Sequence, residues 1–292
     1  MNYNPQFSAI VTTYNRVKYL TSTLESIINQ TYTDFEVLVI DDGSTDNTED
    51  VMASYINDRI RYIKTSNWGG PAHPRNIGIK ESKGKYLAFC DDDDIWELNK
   101  LELIYSIIQE TGAKFIFSNI CYIDENSLDL PGTFNIRVPN YIKKKSDLLV
   151  LNNFITLSSV VLSRRILAKS TFLEDKNFIA AEDRILWHEL NVQCSFYYCQ
   201  VPLVKYRKHL GSISVNRDEK LHLNIKVIKY IQEMYGYDLQ IITMSKLITQ
   251  IKYQIYNKKY LQIILSGLKL LGMAFRHNKL SVLFNTFYNI LK

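Results

Sequence analysis

Lys85-Tyr86-Leu87-Ala88-Phe89-Cys90-Asp91-Asp92-Asp93-Asp94 is a short apolar run that passes without a break into four carboxylates. An apolar run of that length reads as a strand covered on both faces. Outward from it the same grammar repeats. Phe7 to Tyr14 is apolar and β-branched after Pro5 and reads as a strand. Arg16 to Gln30 carries Leu20, Leu24, Ile27 and Ile28 on one helical stripe. Asp34 to Ile40 is a second strand, ending in Asp41-Asp42-Gly43-Ser44. A helix follows over Thr45 to Tyr55, with Thr45 or Asp46 as N-cap. Ile60 to Ile63 is a strand, Pro74 to Ser82 a helix, Leu98 to Thr111 a helix and Lys114 to Phe117 a strand. Strand and helix therefore alternate from residue 7 to about 118, which predicts an α/β fold with a mostly parallel sheet flanked by helices. In such sheets ligands bind beyond the carboxyl ends of the strands. Thr12-Thr13-Tyr14, Asp41-Asp42 and the Asp run all fall at those ends.

Periodicity fades from 119 to 150, where Asp124, Glu125, Asn126, Pro131 and Gly132 mark turns. Order returns at Phe154 to Leu162, and Ala181 to Leu190 reads as a helix opened by Glu182-Asp183. From 221 the chain reads as helices with basic faces, and no internal repeat appears. The chain of 292 residues with 46 % apolar content is long enough for a large core. Four cysteines without metal-ligand spacing argue for a reducing compartment and against a disulfide framework. Met1 to Gln6 is polar, so no signal peptide is expected, and no apolar stretch is long enough to span a membrane. The net charge of +5 is uneven: residues 221–292 hold ten Lys and Arg against Glu233 and Asp238, a net of +8, leaving −3 for the first 220 residues.

Each polar motif has a plain and a chemical reading. Four consecutive carboxylates repel one another, so the run is either a solvated turn closed by Trp96 or a site for a hard divalent ion with a diphosphate. Asp41-Asp42-Gly43-Ser44 is either a strand-to-helix turn or a hydrogen-bonding site for a nucleoside. Arg75 follows the glycines Gly69-Gly70 near a helix start, where an arginine and free backbone donors suit phosphate; otherwise it is a surface arginine. Glu182-Asp183 is either a dipole-matched helix start or contains a general base. His209 alone is more often structural than a ligand.

In this order the motifs resemble the large family-2 glycosyltransferases with the GT-A (Rossmann-like) fold. The resemblance rests on Ser8 to Arg16, Ser26 to Val37, Val39 to Asp46, Arg75 to Ile79, Gly84 to Trp96, Glu182-Asp183, and His209 with Ser212 and Ser214. It covers residues 7 to about 215 and not the basic tail. It implies a catalytic domain over 1–220, with a nucleotide-sugar half to about 118 and an acceptor half over 119–220; the helical basic region over 221–292 is read from the residues alone. It implies nucleotide-sugar contacts at Thr12, Tyr14, Asp42, Arg75, Asp91 and Asp92, a metal held by Asp93 and His209, and Asp183 as catalytic base. The middle of the acidic motif is usually small; with Asp92 there, a second metal frame of Asp92 and Asp94 stays open. The implied cofactor is Mn²⁺ or Mg²⁺, with Mn²⁺ favoured.

The implied reaction is inverting transfer of a hexose from a UDP-sugar to a saccharide acceptor, undecaprenyl-diphosphate-linked, in bacterial O-antigen or capsule synthesis. The implied place is the cytoplasm, at the inner face of the membrane. Lys246 to Tyr256 and Leu261 to Phe275 mix apolar and basic residues, which suits contact with an anionic membrane surface; packing on the core or a homodimer partner is the alternative. No nucleic-acid partner is expected. A nucleotidyltransferase would also need metal and nucleotide, but would want a glycine-rich loop where Thr12 to Arg16 has no glycine. A non-catalytic saccharide-binding module is the third reading.

Overall fold

The structure is a computed structural model; it describes residues 4–133, 138–151, 153–209, 211, 217–256, 260–276 and 279. The first half runs β1 (Phe7–Thr13), α1 (Val17–Ile28), β2 (Phe35–Asp41), α2 (Thr48–Ala53), β3 (Ile60–Lys64), α3 (Ala72–Glu81), β4 (Tyr86–Asp91), β5 (Ile95–Trp96), α4 (Lys100–Thr111) and β6 (Phe115–Ile123). The second half runs β7 (Asp129–Thr133), β8 (Tyr141–Ile142), α5 (Asp147–Leu151), β9 (Val160–Ser163), α6 (Glu182–Gln193), β10 (Phe196–Arg207), α7 (Arg217–Tyr235), α8 (Leu239–Tyr256) and α9 (Tyr260–Arg276).

One sheet carries the molecule, in the order β3-β2-β1-β4-β9-β6-β10-β5, with β7 beside β6 and β8 beside β10. The four strands β3, β2, β1 and β4 are mutually parallel, as are β6 and β10, while β9 runs antiparallel between β4 and β6. Every residue of β1 and β2 is buried, as strands covered on both faces must be. Alternate side chains serve the two faces. Phe7, Ala9 and Val11 pack with Leu20, Leu24 and Ile27 of α1 and Leu101 and Ile104 of α4. Ile10 of β1 joins Leu87, Phe89, Leu186 and Leu190 on the other face.

Two backbone devices set the rims. At the amino ends of the strands the buried Glu36 carboxylate accepts from Ser8 Oγ (2.7 Å) and from the backbone N–H of Lys83, and Ser8 Oγ accepts from Gly84 N. At the carboxyl ends the register sets Thr13 beside Asp41 and Thr12 beside Asp91. The polar motifs at three strand ends are thus neighbours because β1 lies between β2 and β4.

Several boundaries differ from the sequence reading. The helix expected from Thr45 starts at Thr48, where the Asp46 carboxylate meets its first residue. That carboxylate accepts from Thr48 N and Oγ and also from Val17 N at the start of α1. Of the segment Phe154 to Leu162, only Val160 onward is strand; Leu157–Ser159 is a tight 3₁₀ turn. The expected division at 118/119 falls inside β6, so both halves share one strand, and the division at 220/221 falls inside α7. The apolar residues of Lys246 to Tyr256 turn mostly inward. The segment belongs to α8, whose Leu247, Ile248 and Ile251 are buried with Val227 and Ile231 of α7 and with Val150 and Leu151 of α5. Ser212 and Ser214 lie outside the described residues.

Gly78 lets α3 approach the sheet: a Cβ there would lie 2.4 Å from Ile10 Cγ2. Gly78→Ala should therefore destabilise the fold by about 1–3 kcal/mol through overpacking, measured as a fall in the urea midpoint. An unchanged midpoint would contradict the close contact.

Candidate active site

The site is built from β1, β2 and β4 ends, the start of α3 and the start of α6. Asp42 follows β2 and is buried; its two carboxylate oxygens accept from Trp68 N (2.9 Å) and Gly69 N (3.1 Å). Gly43 next to it has φ +79°, and a Cβ would lie 2.7 Å from Asn67 N. That explains the glycine in Asp41-Asp42-Gly43-Ser44. Asp41 is structural: it faces Tyr62 Oη and Ser44 N. Thr12 is buried at the end of β1, while Tyr14 is 45 % exposed at the rim. Asn15, with φ +52°, ties the first loop to the second by accepting from Thr45 N (2.8 Å).

The four aspartates are not equivalent. Asp91 ends β4 and pairs with Arg75 Nη2 at 2.8 Å. Asp92 is buried against the β1 end, and burial, followed by the neighbouring Asp93 charge, pushes its carboxyl up to about 8. Asp93 points the other way, to His209 Nε2 (2.9 Å) and Arg16 Nη1 (2.6 Å). Asp94 is fully buried, accepting from Ser158 Oγ (2.5 Å) and Arg207 N (3.0 Å). Burial first, then Asp93 and Asp91, raises its carboxyl well above the ordinary range. With these two bonds and no exposed surface, Asp94 faces the interior and not the rim.

Ser158 makes a second link, accepting from Asp91 N at 3.0 Å, and its own turn is held by Trp96 Nε1 and Lys100 Nζ on the carbonyls of Ser158 and Ser159. Thr23 Oγ1 donates to the carbonyls of Asp92 and Asp94, and Arg207 Nε to that of Asp93. The acidic turn is thus clamped from three elements.

Of the two readings of Arg75, a phosphate contact or a surface arginine, its burial removes the second. Arg75 is 5 % exposed, and its guanidinium is shared between Asp91 and Glu182 while lying over the Phe172 ring. Its depth follows from the close seat of α3. Glu182, the first residue of α6, also accepts from Ala181 N. Ala180 before it holds φ +67°, a left-handed conformation uncommon for alanine and typical of functional turns. Asp183 follows in the first turn, accepting from Arg184 N at 2.6 Å. Burial, then the Glu182 charge, raises its carboxyl to about 7, with Arg75 opposing the rise.

Four residues here carry no role in the sequence reading. Arg16 lies inside Tyr14-Asn15-Arg16 at a strand end, a position that could have flagged it. It bonds Asp93, His209 and the carbonyl of Gly211 (2.6 Å). Thr23 and Arg207 act on the carbonyls of the acidic turn, and Ser158 on Asp91 N and the Asp94 carboxylate, contacts that no motif announces.

The profile of Glycosyl transferase family 2 matches residues 8–169. The Escherichia coli protein described as UDP-Glc:alpha-D-GlcNAc-diphosphoundecaprenol beta-1,3-glucosyltransferase WfgD is 32 % identical over 216 residues, 73 % of this chain and 81 % of the relative. WfaP of Escherichia coli, with the same described activity, is 33 % identical over 227 residues, 77 % of this chain and 86 % of the relative. An uncharacterized glycosyltransferase of Rickettsia bellii is 46 % identical over 121 residues, 40 % of this chain, and there the chain spans 17 % of the relative's length. Among solved structures, S. aureus TarS 1-349 in complex with UDP-GlcNAc superposes with a TM-score of 0.66 at 22 % identity. The match covers 92 % of this chain and 81 % of that one. The Pyrobaculum calidifontis mannosyltransferase PcManGT with GDP-Man and Mn2+ superposes with a TM-score of 0.61 at 15 % identity, covering 99 % and 88 %. Both share the GT-A fold of this chain.

Arg75→Ala should destabilise the fold by about 3 kcal/mol, since it strands Glu182 as a buried unpaired carboxylate; Asp91, partly solvated, adds less. Chemical denaturation measures this, and a loss below about 0.5 kcal/mol would show that the bridge is not structural.

Proposed function

The chain belongs to glycosyl transferase family 2, and we propose that it moves a hexose from a UDP-sugar to a hydroxyl of a lipid-linked saccharide, with inversion, in surface polysaccharide (O-antigen or capsule) synthesis. The observation that carries this is Asp183: one carboxyl with an affinity for protons near neutrality, at the same rim as Asp42, Asp91 and Asp93. Its neighbour Glu182 is committed to Arg75, so one base and no free second nucleophile face the rim. That arrangement supports a single displacement. The acceptor oxygen bonds to the anomeric carbon as its proton passes to Asp183, and the bond from that carbon to the diphosphate oxygen breaks, UDP leaving with the electron pair. An α-linked donor would then give a β-glycoside. The described activities of WfgD and WfaP, a UDP-glucose donor and a diphosphoundecaprenol-linked acceptor, support a UDP-hexose and a lipid-linked acceptor here. A cytoplasmic site at the membrane's inner face follows from that pair of substrates.

In this reading Asp42 and Thr12 meet the nucleoside and Tyr14 covers it from the exposed rim. Asp91 and Asp92 line the sugar-nucleotide side. Arg75 fixes Asp91 relative to the base-bearing helix and supplies positive field toward the leaving diphosphate.

A divalent ion fits the donor set of Asp93 and His209. Their facing carboxylate and imidazole nitrogen are 2.9 Å apart, and the Arg16 guanidinium, 2.6 and 3.0 Å from them, stands in as the cation. A carboxylate with an imidazole suits Mn²⁺ better than Mg²⁺. No group of three or more His, Cys, Asp or Glu that could hold an ion stands together among the described residues, so oxygen ligands from the diphosphate would complete the set. Such an ion would neutralise charge on the departing diphosphate. Arg16 must release Asp93 before that carboxylate can serve as a ligand.

Transfer and hydrolysis of UDP-glucose, UDP-galactose and their N-acetyl forms with Mn²⁺ test the reading; no turnover and no binding of any of them would end it. kcat/KM should rise with pH through about 7, because Asp183 accepts a proton only once ionised. Asp183→Asn should abolish transfer while keeping UDP affinity, and loss of UDP binding would argue against a base. Arg16→Met should raise the affinity for Mn²⁺ without nucleotide at least roughly tenfold, since unit charges a few ångströms apart near a surface repel by several kcal/mol. Electron paramagnetic resonance of free Mn²⁺ reads this directly, and equal or weaker binding would refute the exchange.

A further inference from the structure

α9 faces outward with its apolar side. It docks on the helical cluster through Leu270 and Ala274, one turn apart and both fully buried. On its outer side Ile264, Leu268, Leu271 and Phe275 recur at spacings of four, three and four residues, which makes one stripe along the helix. They are 59 %, 63 %, 42 % and 76 % exposed, and Leu265 beside them is 60 % exposed. Lys269 and Arg276, also exposed, flank the stripe along one edge. The neighbouring α8 does the opposite, burying Ile241, Ile242, Met244 and Ile248 against α7 and α5. An exposed apolar stripe of this length among the described residues marks a docking face.

The charge decides among the occupants. From Leu239 through residue 292 there are eight Lys and Arg and no Asp or Glu. A second copy packed stripe to stripe would bring the same basic rows together with no acid in that region to balance them. A layer of anionic headgroups supplies that balance and an apolar interior beneath it. Among the described residues no helix is long and apolar enough to cross a membrane, so the geometry is that of lying on the surface. We propose that α9 is a membrane-docking helix, its stripe in the acyl boundary and Lys269 and Arg276 at the phosphates of anionic lipid. The docking itself stands on the exposure and charge of α9; its purpose, presenting the rim to a lipid-linked acceptor, rests on the transferase reading above.

The test is flotation of the full chain with phosphatidylcholine vesicles prepared with and without phosphatidylglycerol. Binding to the anionic vesicles is expected, weakening with added salt. Leu268→Glu with Phe275→Glu should lower it roughly tenfold or more, and Lys269→Gln with Arg276→Gln by about tenfold. Helical circular dichroism and transfer to a short acceptor without lipid should stay at the level of the parent chain in both variants. Absence of binding by the parent chain, or undiminished binding by both variants, overturns the proposal. So does an oligomer in light scattering that Leu268→Glu with Phe275→Glu dissociates while neither protein binds vesicles, which would assign the stripe to a second copy. Vesicle binding without turnover of any UDP-sugar would leave the docking helix standing and remove the transferase reading; turnover without vesicle binding would do the reverse.

Discussion

Arg75 holds together two parts of the molecule that no hydrogen-bonded strand connects directly. Its guanidinium lies between Asp91, at the end of β4, and Glu182, at the start of α6, with the Phe172 ring against its face. A cation so deep is tolerable only because two carboxylates flank it, and the carboxylates are tolerable only because of the cation. The same pairing sets the chemistry next to it. It consumes Glu182 and leaves Asp183 as the acid with a raised proton affinity. It also fixes the first aspartate of the acidic turn, so that Asp93 can turn toward His209.

Around that bridge the acidic turn works as a sorted set of carboxyls, not a pool of negative charge. Asp94 and Asp92 are buried, and burial makes their ionised forms costly. Asp91 is matched by Arg75 and Asp93 by Arg16. Thr23, Ser158 and Arg207 fix the backbone so that adjacent side chains diverge into different surroundings. Four like charges in sequence thereby become one structural acid, one at the β1 end and two at the rim.

The β-branched runs and their alternation with amphipathic stripes made the parallel half legible, because strands buried on both faces leave little choice of residue. The rim was legible for the same reason: polar groups stand out at the end of an apolar strand. Roles were harder to read. Arg75 reads in sequence as a phosphate contact or a surface arginine, and its burial depends on the close approach allowed by Gly78 and on Glu182, more than a hundred residues away. Arg16 bonds residues 77 to 195 positions distant, and Ser158 acts from a 3₁₀ turn with no periodic signal. The tail read as one basic helical region. Only packing separates α8, which is core, from α9, which is surface.

The buried Glu36 at the amino ends of the strands, bonded by Ser8 Oγ, Lys83 N and the Arg61 guanidinium, occupies the rim opposite the chemistry. Its work is to clasp β1, β2 and the turn into β4. The sheet is therefore a lever fixed at one end and worked at the other. Substitutions below the clasp can trade stability while the reacting groups keep their spacing. The loops above it can diversify for new sugars without the fold having to be solved again.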